Sequence, residues 1–479
     1  APYGIESGAK QAIFTPDAAP TPITTIPTLP PGIGTTGAAF FDVRFKSVDA
    51  IDKATGALRA TLAQDLQSST VLPTLLTELH ALVAVPDPAV VPACPTGVGF
   101  PAGAKCARLV VFGHGITTVT TNHSKDELFS VASSLATQGF VAAAIDFPLH
   151  GERNWCKADG DCGGGGTCDK SGAFAQSAGQ GDCGTLDPAS AECNALRPGV
   201  CTGGTGPTEE PSRFFLTANY FRMRDAFRQN LLDQSALALA LARPPAPVPQ
   251  PPQNPFSAVL PPGVVIDPTE VYYEALSLGS ISGTSVVATN PRITRAALSE
   301  AGGTFIDIGI TSPDFQASLT PLFTAILQSQ GVLPPGTAFS FAMVDPTSGA
   351  FDPVVAAAFL QLVDLAKWIM DPADPINYAA HVKLAPLPNL LANPDGSVAQ
   401  AAKAAYGQIA EGNTTVPNAT SEELYSLMGI FPDGTTVYSG PGGTAVEHGM
   451  LLTQPQVQTD AAGFLKDPTV TPPTTRTLP

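Results

Sequence analysis

Residues 271–288 constrain the fold more than any other stretch of the chain. Val271, Tyr272 and Tyr273 open a run rich in β-branched and aromatic side chains, the pattern of a strand. The run breaks at small residues around Ser277 and continues as a small and aliphatic segment suited to a helix. A strand that turns sharply into a helix at a serine needs small residues two before and two after it, because the turn crowds them against the neighbouring strand and the new helix. Ala275 and Gly279 meet that need around Ser277. Ser280 would place Leu278 in the crowded position, and Ser282, between Ser280 and Thr284, lies a turn into the helix. Ser277 is therefore the expected nucleophile. In isolation the same residues would also read as a buried strand ending in a serine-rich loop, so the partners elsewhere decide.

The elements before it form a parallel unit. A buried strand over residues 108–112 runs into the turn Gly113-His114-Gly115-Ile116, and Leu128, Val131, Ala132 and Leu135 mark one face of a helix that stops at Gly139. Residues 140–146 are a second buried strand, so the order is strand, helix, strand with continuous apolar runs. Residues 39–45 are expected to form a strand, and the spacing of Leu72, Leu75, Leu76, Leu79 and Leu82 predicts a helix over 70–83. A long helix is expected over 215–241 and mostly helical, apolar structure over 305–385. Residues 404–411 read as a late strand, and Glu447-His448-Gly449 puts a histidine in a loop near the C-terminus. The expected fold class is thus α/β, with a mostly parallel central sheet. Residues 1–37, rich in Pro, Thr, Ala and Gly, read as an extended arm, and 38–479 as one catalytic domain. That domain carries a cysteine-rich insertion at about 152–212 and a helical lid or cap at about 305–385.

The turn after the first parallel strand sits where an oxyanion hole would be built. The backbone N–H groups of Ile116 and of Leu278, the residue after the nucleophile, are the expected donors. His114 is expected to brace this loop beside Gly115. His150 is placed at the end of the next strand, and all three are candidates for lining the substrate side. His448 follows the serine and the late strand in the chain order Ser, acid, His, and is the expected general base. His381 reads as structural.

Composition narrows the partners. A net charge of −17 with 14% charged residues argues against nucleic-acid binding and against attachment to anionic lipid. No run of 18 uninterrupted apolar residues occurs, so no transmembrane segment is expected. The opening Ala-Pro-Tyr reads as the start of a processed product. Six of the eight cysteines (Cys156, Cys162, Cys168, Cys183, Cys193, Cys201) crowd into one glycine-rich stretch, and Cys94 and Cys106 bracket a Pro/Gly turn. An even count in such loops points to disulfides and an oxidising compartment, with Cys94–Cys106 the expected pair. Zinc is the rival, but the spacings are five residues or more and no histidine lies in the stretch. No metal or cofactor is expected.

Taken together, the Gly113–Thr117 turn, Asp146-Phe147-Pro148-Leu149-His150-Gly151, the Ser277 elbow, Asp371-Pro372-Ala373-Asp374-Pro375, the Glu411–Asn418 stretch and Glu447-His448-Gly449 resemble the α/β-hydrolase superfamily. More narrowly the chain resembles bacterial extracellular lipases and esterases with a virulence-factor-type N-terminal region. The resemblance implies hydrolysis of carboxyl esters, of small-molecule, lipid or polymer origin, by a secreted or cell-surface protein. It departs from the pattern at Asn413, where such proteins usually carry aspartate. An amide has no charge to stabilise an imidazolium, and the corresponding Asp-to-Asn change in a serine protease costs about 10⁴ in turnover. Glu411, on the same face if the strand continues, is the favoured carboxylate over Asn413, with Asp345 and Asp352 as alternatives. A catalytically impaired hydrolase fold acting as a binding protein is the rival from a different class. A metal-dependent hydrolase is disfavoured, as no His-x-x-x-His cluster occurs. Oligomeric state is not legible.

Overall fold

The computed structural model describes residues 20–51, 58–65, 68, 70–95, 100–116, 124–154, 156, 158–170, 199–203, 220–242, 260–389, 397–470 and 472–479. Among them lie β1 (Thr21–Ile23), β2 (Ala38–Val48), β3 (Leu76–Pro86), β4 (Lys105–Gly113), β5 (Phe140–Ile145), β6 (Thr167–Asp169) and β7 (Val200–Thr202). They are followed by β8 (Val264–Leu276), β9 (Ile293–Ser299), β10 (Ala404–Ala410), β11 (Thr435–Ser439) and β12 (Thr475–Thr477). Ten of these form one sheet in the order β1-β2-β3-β5-β4-β8-β9-β10-β11-β12, and β6 and β7 make a separate pair. From β5 through β12 every pairing is parallel, whereas β1–β2, β2–β3 and β3–β5 are antiparallel. This is an α/β-hydrolase fold with a mostly parallel sheet.

The helices cover both faces, as parallel strands buried on both sides require. On one face α2 (Tyr220–Leu241), α3 (Leu278–Thr289), α7 (Ile376–Lys383) and α8 (Asn418–Met428) pack through residues such as Leu237, Val286, Val382 and Leu424. On the other face α1 (Leu128–Thr137) and α9 (Pro455–Lys466) pack through Leu128, Leu135, Val457 and Leu465. A third cluster caps the C-terminal ends of the strands with α4 (Phe305–Thr311), α5 (Pro313–Ser329) and α6 (Pro353–Met370). α6 is long and apolar enough to cross a membrane by length and composition. Here Val355, Phe359 and Val363 face that third cluster, while Val354, Leu365 and Trp368 are exposed.

The central switch of direction places the site. β4 is followed by α1 and then by β5 on one side, whereas β8 is followed by α3 and then by β9 on the other. The chain therefore diverges at the carboxyl ends of β4 and β8, where parallel sheets hold their ligands. α3 is fixed at its far end too. Lys403 Nζ, buried just before β10 and lowered by burial to about 7, donates to the carbonyl oxygens of Val287 and of Asn290 (2.6 Å for the latter) at the carboxyl end of that helix.

One expected element is different. Residues 70–83 do not form a helix: a short 3-10 turn over Leu72–Leu75 leads into strand β3. The leucine spacing suits a helix, but β3 lies between β2 and β5 and is buried on both faces, with Leu79, Ala81 and Val83 on one side and Leu82 and Ala84 on the other. Both periods then look alike in sequence. Disulfides join Cys94 to Cys106, Cys156 to Cys168 and Cys162 to Cys201. Cys183 and Cys193 lie outside the described residues. Sulfurs of Cys156, Cys162 and Cys201 approach one another at metal-site distances, but all three are consumed in disulfides.

Candidate active site

Ser277 stands between β8 and α3 with φ +50°, ψ −120°, a conformation that side-chain-bearing residues rarely adopt. Its N–H is held by the carbonyl of Ser299 at 2.9 Å. The crowding expected around the elbow is severe on one side: a methyl group on Gly279 would come within 2.1 Å of the Gly113 carbonyl oxygen. On the other side Ala275 pairs with Gly113 across β4–β8, and the absent side chain of Gly113 leaves room for the alanine methyl. Alanine therefore replaces the commoner glycine at that position at little steric cost.

His448 reaches the serine from the C-terminal loop. Its Nε2 lies 2.9 Å from Ser277 Oγ. Its Nδ1 lies 3.2 Å from Glu300 Oε1, a carboxylate whose side chain is fully buried. Glu300 directly follows β9, has φ +54°, and is fixed by its own N–H donating to Gln408 O at 2.8 Å. Its carboxylate also accepts the Gly449 N–H, at 3.0 Å to Oε2, and the Asn413 amide at 3.0 Å to Oε1. Burial pulls the His448 imidazole down, but the charge of Glu300 and its hydrogen bond outweigh it and raise it above the ordinary histidine value. Ring, serine and carboxylate have the geometry of a nucleophile, a base and an orienting acid.

Asn413 sits at the tip of β10, where the resemblance led one to expect an aspartate. Its Oδ1 accepts the N–H groups of Thr415 and Val416, both at 3.0 Å, which turns its Nδ2 towards Glu300 and to 3.0 Å from His448 Nδ1. The favoured candidate Glu411 is not at the site. β10 ends at Ala410, Gly412 turns the chain with φ +69°, and the Glu411 side chain is exposed in that turn. Asp352 caps α6 through the N–H of Val354, and Asp345 closes a turn on Thr347, so neither alternative serves either. Glu300 was missed from sequence. The available signal was a carboxylate immediately after the strand that follows the elbow helix, ahead of Gly302 and Gly303.

The donor side is built from two loops. Leu278 opens α3, so its N–H has no acceptor within the helix. Ile116 is half-buried against the third cluster together with Leu278, Phe305 and Val416. Gly115 touches the nucleophile, since a methyl group there would lie 3.5 Å from Ser277 Cβ. His114 and His150 are wholly buried and present no surface to a substrate, contrary to expectation. His114 accepts the Phe147 N–H at Nε2 (2.9 Å) and so carries its proton on Nδ1, donated to Gly115 O at 2.7 Å. Burial lowers it to about 4, so it stays neutral and braces the loop. The ring of His150 packs 5.3 Å from that of His114.

No protein-family model matches the chain, and no curated protein matches it by sequence. Among solved structures it is similar to an acetyl xylan esterase from Paenibacillus sp. R4, with TM-score 0.39 and 12% identity over 91% of this chain and 86% of that one. Acetyl xylan esterase 1 from Thermoanaerobacterium sp. JW/SL YS485 gives 0.34 and 12% over 88% and 89%. An esterase from Pyrobaculum calidifontis gives 0.34 and 10% over 82% of each chain. At this distance the chemistry rests on the side chains themselves.

Proposed function

We propose that the chain is a serine carboxyl-ester hydrolase in which Ser277, His448 and Glu300 form the catalytic triad. The observation that carries the reading is a single imidazole bridging Ser277 Oγ at 2.9 Å and a buried carboxylate at 3.2 Å. Ser277 Oγ attacks the ester carbonyl while His448 Nε2 takes its proton, and the oxyanion is met by the N–H groups of Leu278 and Ile116. The tetrahedral intermediate collapses with transfer of that proton to the leaving alcohol, and water then cleaves the acyl-enzyme by the same route. Glu300 keeps the proton of neutral His448 on Nδ1, the tautomer whose Nε2 can act as base.

The substrate class is aliphatic acyl esters, lipid-like or polymeric. The two donor residues share one apolar cluster with Phe323, Phe339 and Phe359 of the helical insert, which suits an acyl chain better than a charged one. Export to an oxidising compartment, at the cell surface or beyond it, is part of the proposal and is supported by three disulfides. So is kinship with extracellular lipases. The binding-protein alternative rests on the missing aspartate and on the cysteine-stapled loop as a recognition surface; a buried Glu300 beside His448 favours the enzyme.

Hydrolysis of a p-nitrophenyl ester series from acetyl to palmitoyl by the wild type and Ser277→Ala tests the reading. Activity lost in the variant is expected; activity that survives it would refute the assignment.

A further inference from the structure

One buried carboxyl beside the site has no role in the mechanism above. Glu127 ends the turn Ser124–Glu127 just before α1 and is 6% exposed. Its Oε2 accepts the Gly115 N–H at 2.8 Å. A methyl group on Gly115 would lie 3.6 Å from Glu127 Oε1 and 3.5 Å from Ser277 Cβ, so carboxyl and nucleophile flank the same glycine. By holding the Gly115 N–H, Glu127 sets the direction of the chain into Ile116, the donor on that side.

The same closeness carries a penalty. Acyl transfer builds negative charge at the oxyanion, and an anion fixed across one glycine in a poorly hydrated site opposes it. A neutral carboxylic acid keeps the acceptor without the charge. We propose that Glu127 is a positioning residue of the oxyanion loop that works in its neutral form, so that its ionisation shuts the reaction off on the alkaline side. The proposal rests on the ester-hydrolase reading.

The surroundings agree. Burial pushes Glu127 up to about 8, against the smaller pull of the Gly115 N–H and of His448. Among the described residues His448, in the loop before the one-turn helix Met450–Thr453, is the charged group facing it, and Glu300 and Asp314 bear on that ring in turn. Neighbouring Lys125 is engaged elsewhere, with Asp146, Glu152 and the carbonyl of His80.

The test is kcat and KM for p-nitrophenyl butyrate from about pH 6 to about pH 10, for the wild type, Glu127→Gln, Glu127→Leu, Glu274→Gln and Ser277→Ala. The wild type should lose kcat with a midpoint near pH 8 and little change in KM. Glu127→Gln, whose amide oxygen keeps the acceptor without a titrating proton, should stay within about 3-fold of the wild type at neutral pH and hold its rate through the alkaline range. Glu127→Leu should lose at least about 10-fold in kcat at every pH. Glu274→Gln, which changes the other buried carboxyl of similar character, should keep the alkaline limb. A wild type without that limb, or Glu127→Gln with an unaltered one, overturns the proposal while Ser277-dependent hydrolysis leaves the ester-hydrolase reading standing. Hydrolysis that survives Ser277→Ala, or none at all, overturns both. Should Glu127→Gln fail to fold, carboxyl-labelled glutamate NMR on Glu274→Gln decides: a buried carboxyl losing its proton near pH 8 is expected, and its absence overturns the proposal.

Discussion

Asn413 Nδ2 lies 3.0 Å from Glu300 Oε1, and the amide cannot turn round because its oxygen is held by two backbone N–H groups. The residue at the tip of β10 thus donates to the carboxylate at the tip of β9. Two carboxylates at that distance would repel each other, and the neutral amide replaces that repulsion with a hydrogen bond to Glu300. Asn413 is the complement of a relocated acid.

An exchange follows from this pairing. Glu300→Gln should lower kcat on acyl esters by about 10³ to 10⁴, the range for triad acids. Glu300→Gln with Asn413→Asp puts a carboxylate back beside His448 Nδ1 and should recover at least about 10-fold over the single variant. Steady-state kinetics on the two decide; a double variant no better than the single one would show that position 413 cannot carry the charge. Glu411→Gln should match the wild type.

The acid side of the pH profile belongs to His448. Its imidazole is raised above the ordinary value by Glu300, and only the neutral ring can take the serine proton. Activity should therefore fall as pH drops through that raised value, at a higher pH than free imidazole would give. In Glu300→Gln the residual activity should persist to lower pH. A limb that stays put in this variant would mean another group sets it.

Stability should respond to a buried carboxyl outside the triad. Glu274, near the carboxyl end of β8, is 1% exposed, and among the described residues neither of its carboxyl oxygens has a hydrogen-bond partner. Burial raises it from 4.5 to about 8. The folded chain then keeps a proton that the unfolded chain gives up, so stability falls as pH climbs from about 4.5 to about 8. Glu274→Met should raise Tm at pH 8 and flatten that slope in thermal melts. An unchanged slope would assign it to other groups.

The elbow makes opposite demands on its two small residues. Gly279→Ala would drive a methyl group into the Gly113 carbonyl and should abolish activity with a loss of several kcal/mol in stability. Ala275→Gly should keep activity within about 3-fold, since Gly113 already accommodates the larger residue. Denaturant melts alongside kinetics separate the two; equal effects would argue against the steric account.

The elbow was legible because steric crowding leaves a mark on residue size, and Ala275, Ser277 and Gly279 carry that mark at fixed spacing. His448 was legible from chain order. The proposed acid was not, because a carboxylate's place depends on which strand tip faces the imidazole, and nothing local distinguishes Glu300 from Glu411. Only the turn at Gly412 exposes Glu411, and only the positive φ at Glu300 folds that side chain inward. β3 was read as a helix because burial on both faces erased the two-residue alternation. β11 passed unseen because five residues, Thr435–Ser439, are too few to show a period.

The described disulfides of the insertion, Cys156–Cys168 and Cys162–Cys201, join its members to one another and none of them to the sheet. Their loops of 12 and 39 residues are each worth about 3 to 4 kcal/mol in chain entropy, all of it spent within the insertion. Among the described residues, what ties the neighbouring chain to the body is non-covalent, as where Arg153 meets the buried Asp233 of α2 at 2.7 Å. The described part of the insertion is thus braced against itself by its own cross-links. Reduction of these two bridges should therefore loosen that part of the chain and leave the ten-stranded sheet in place.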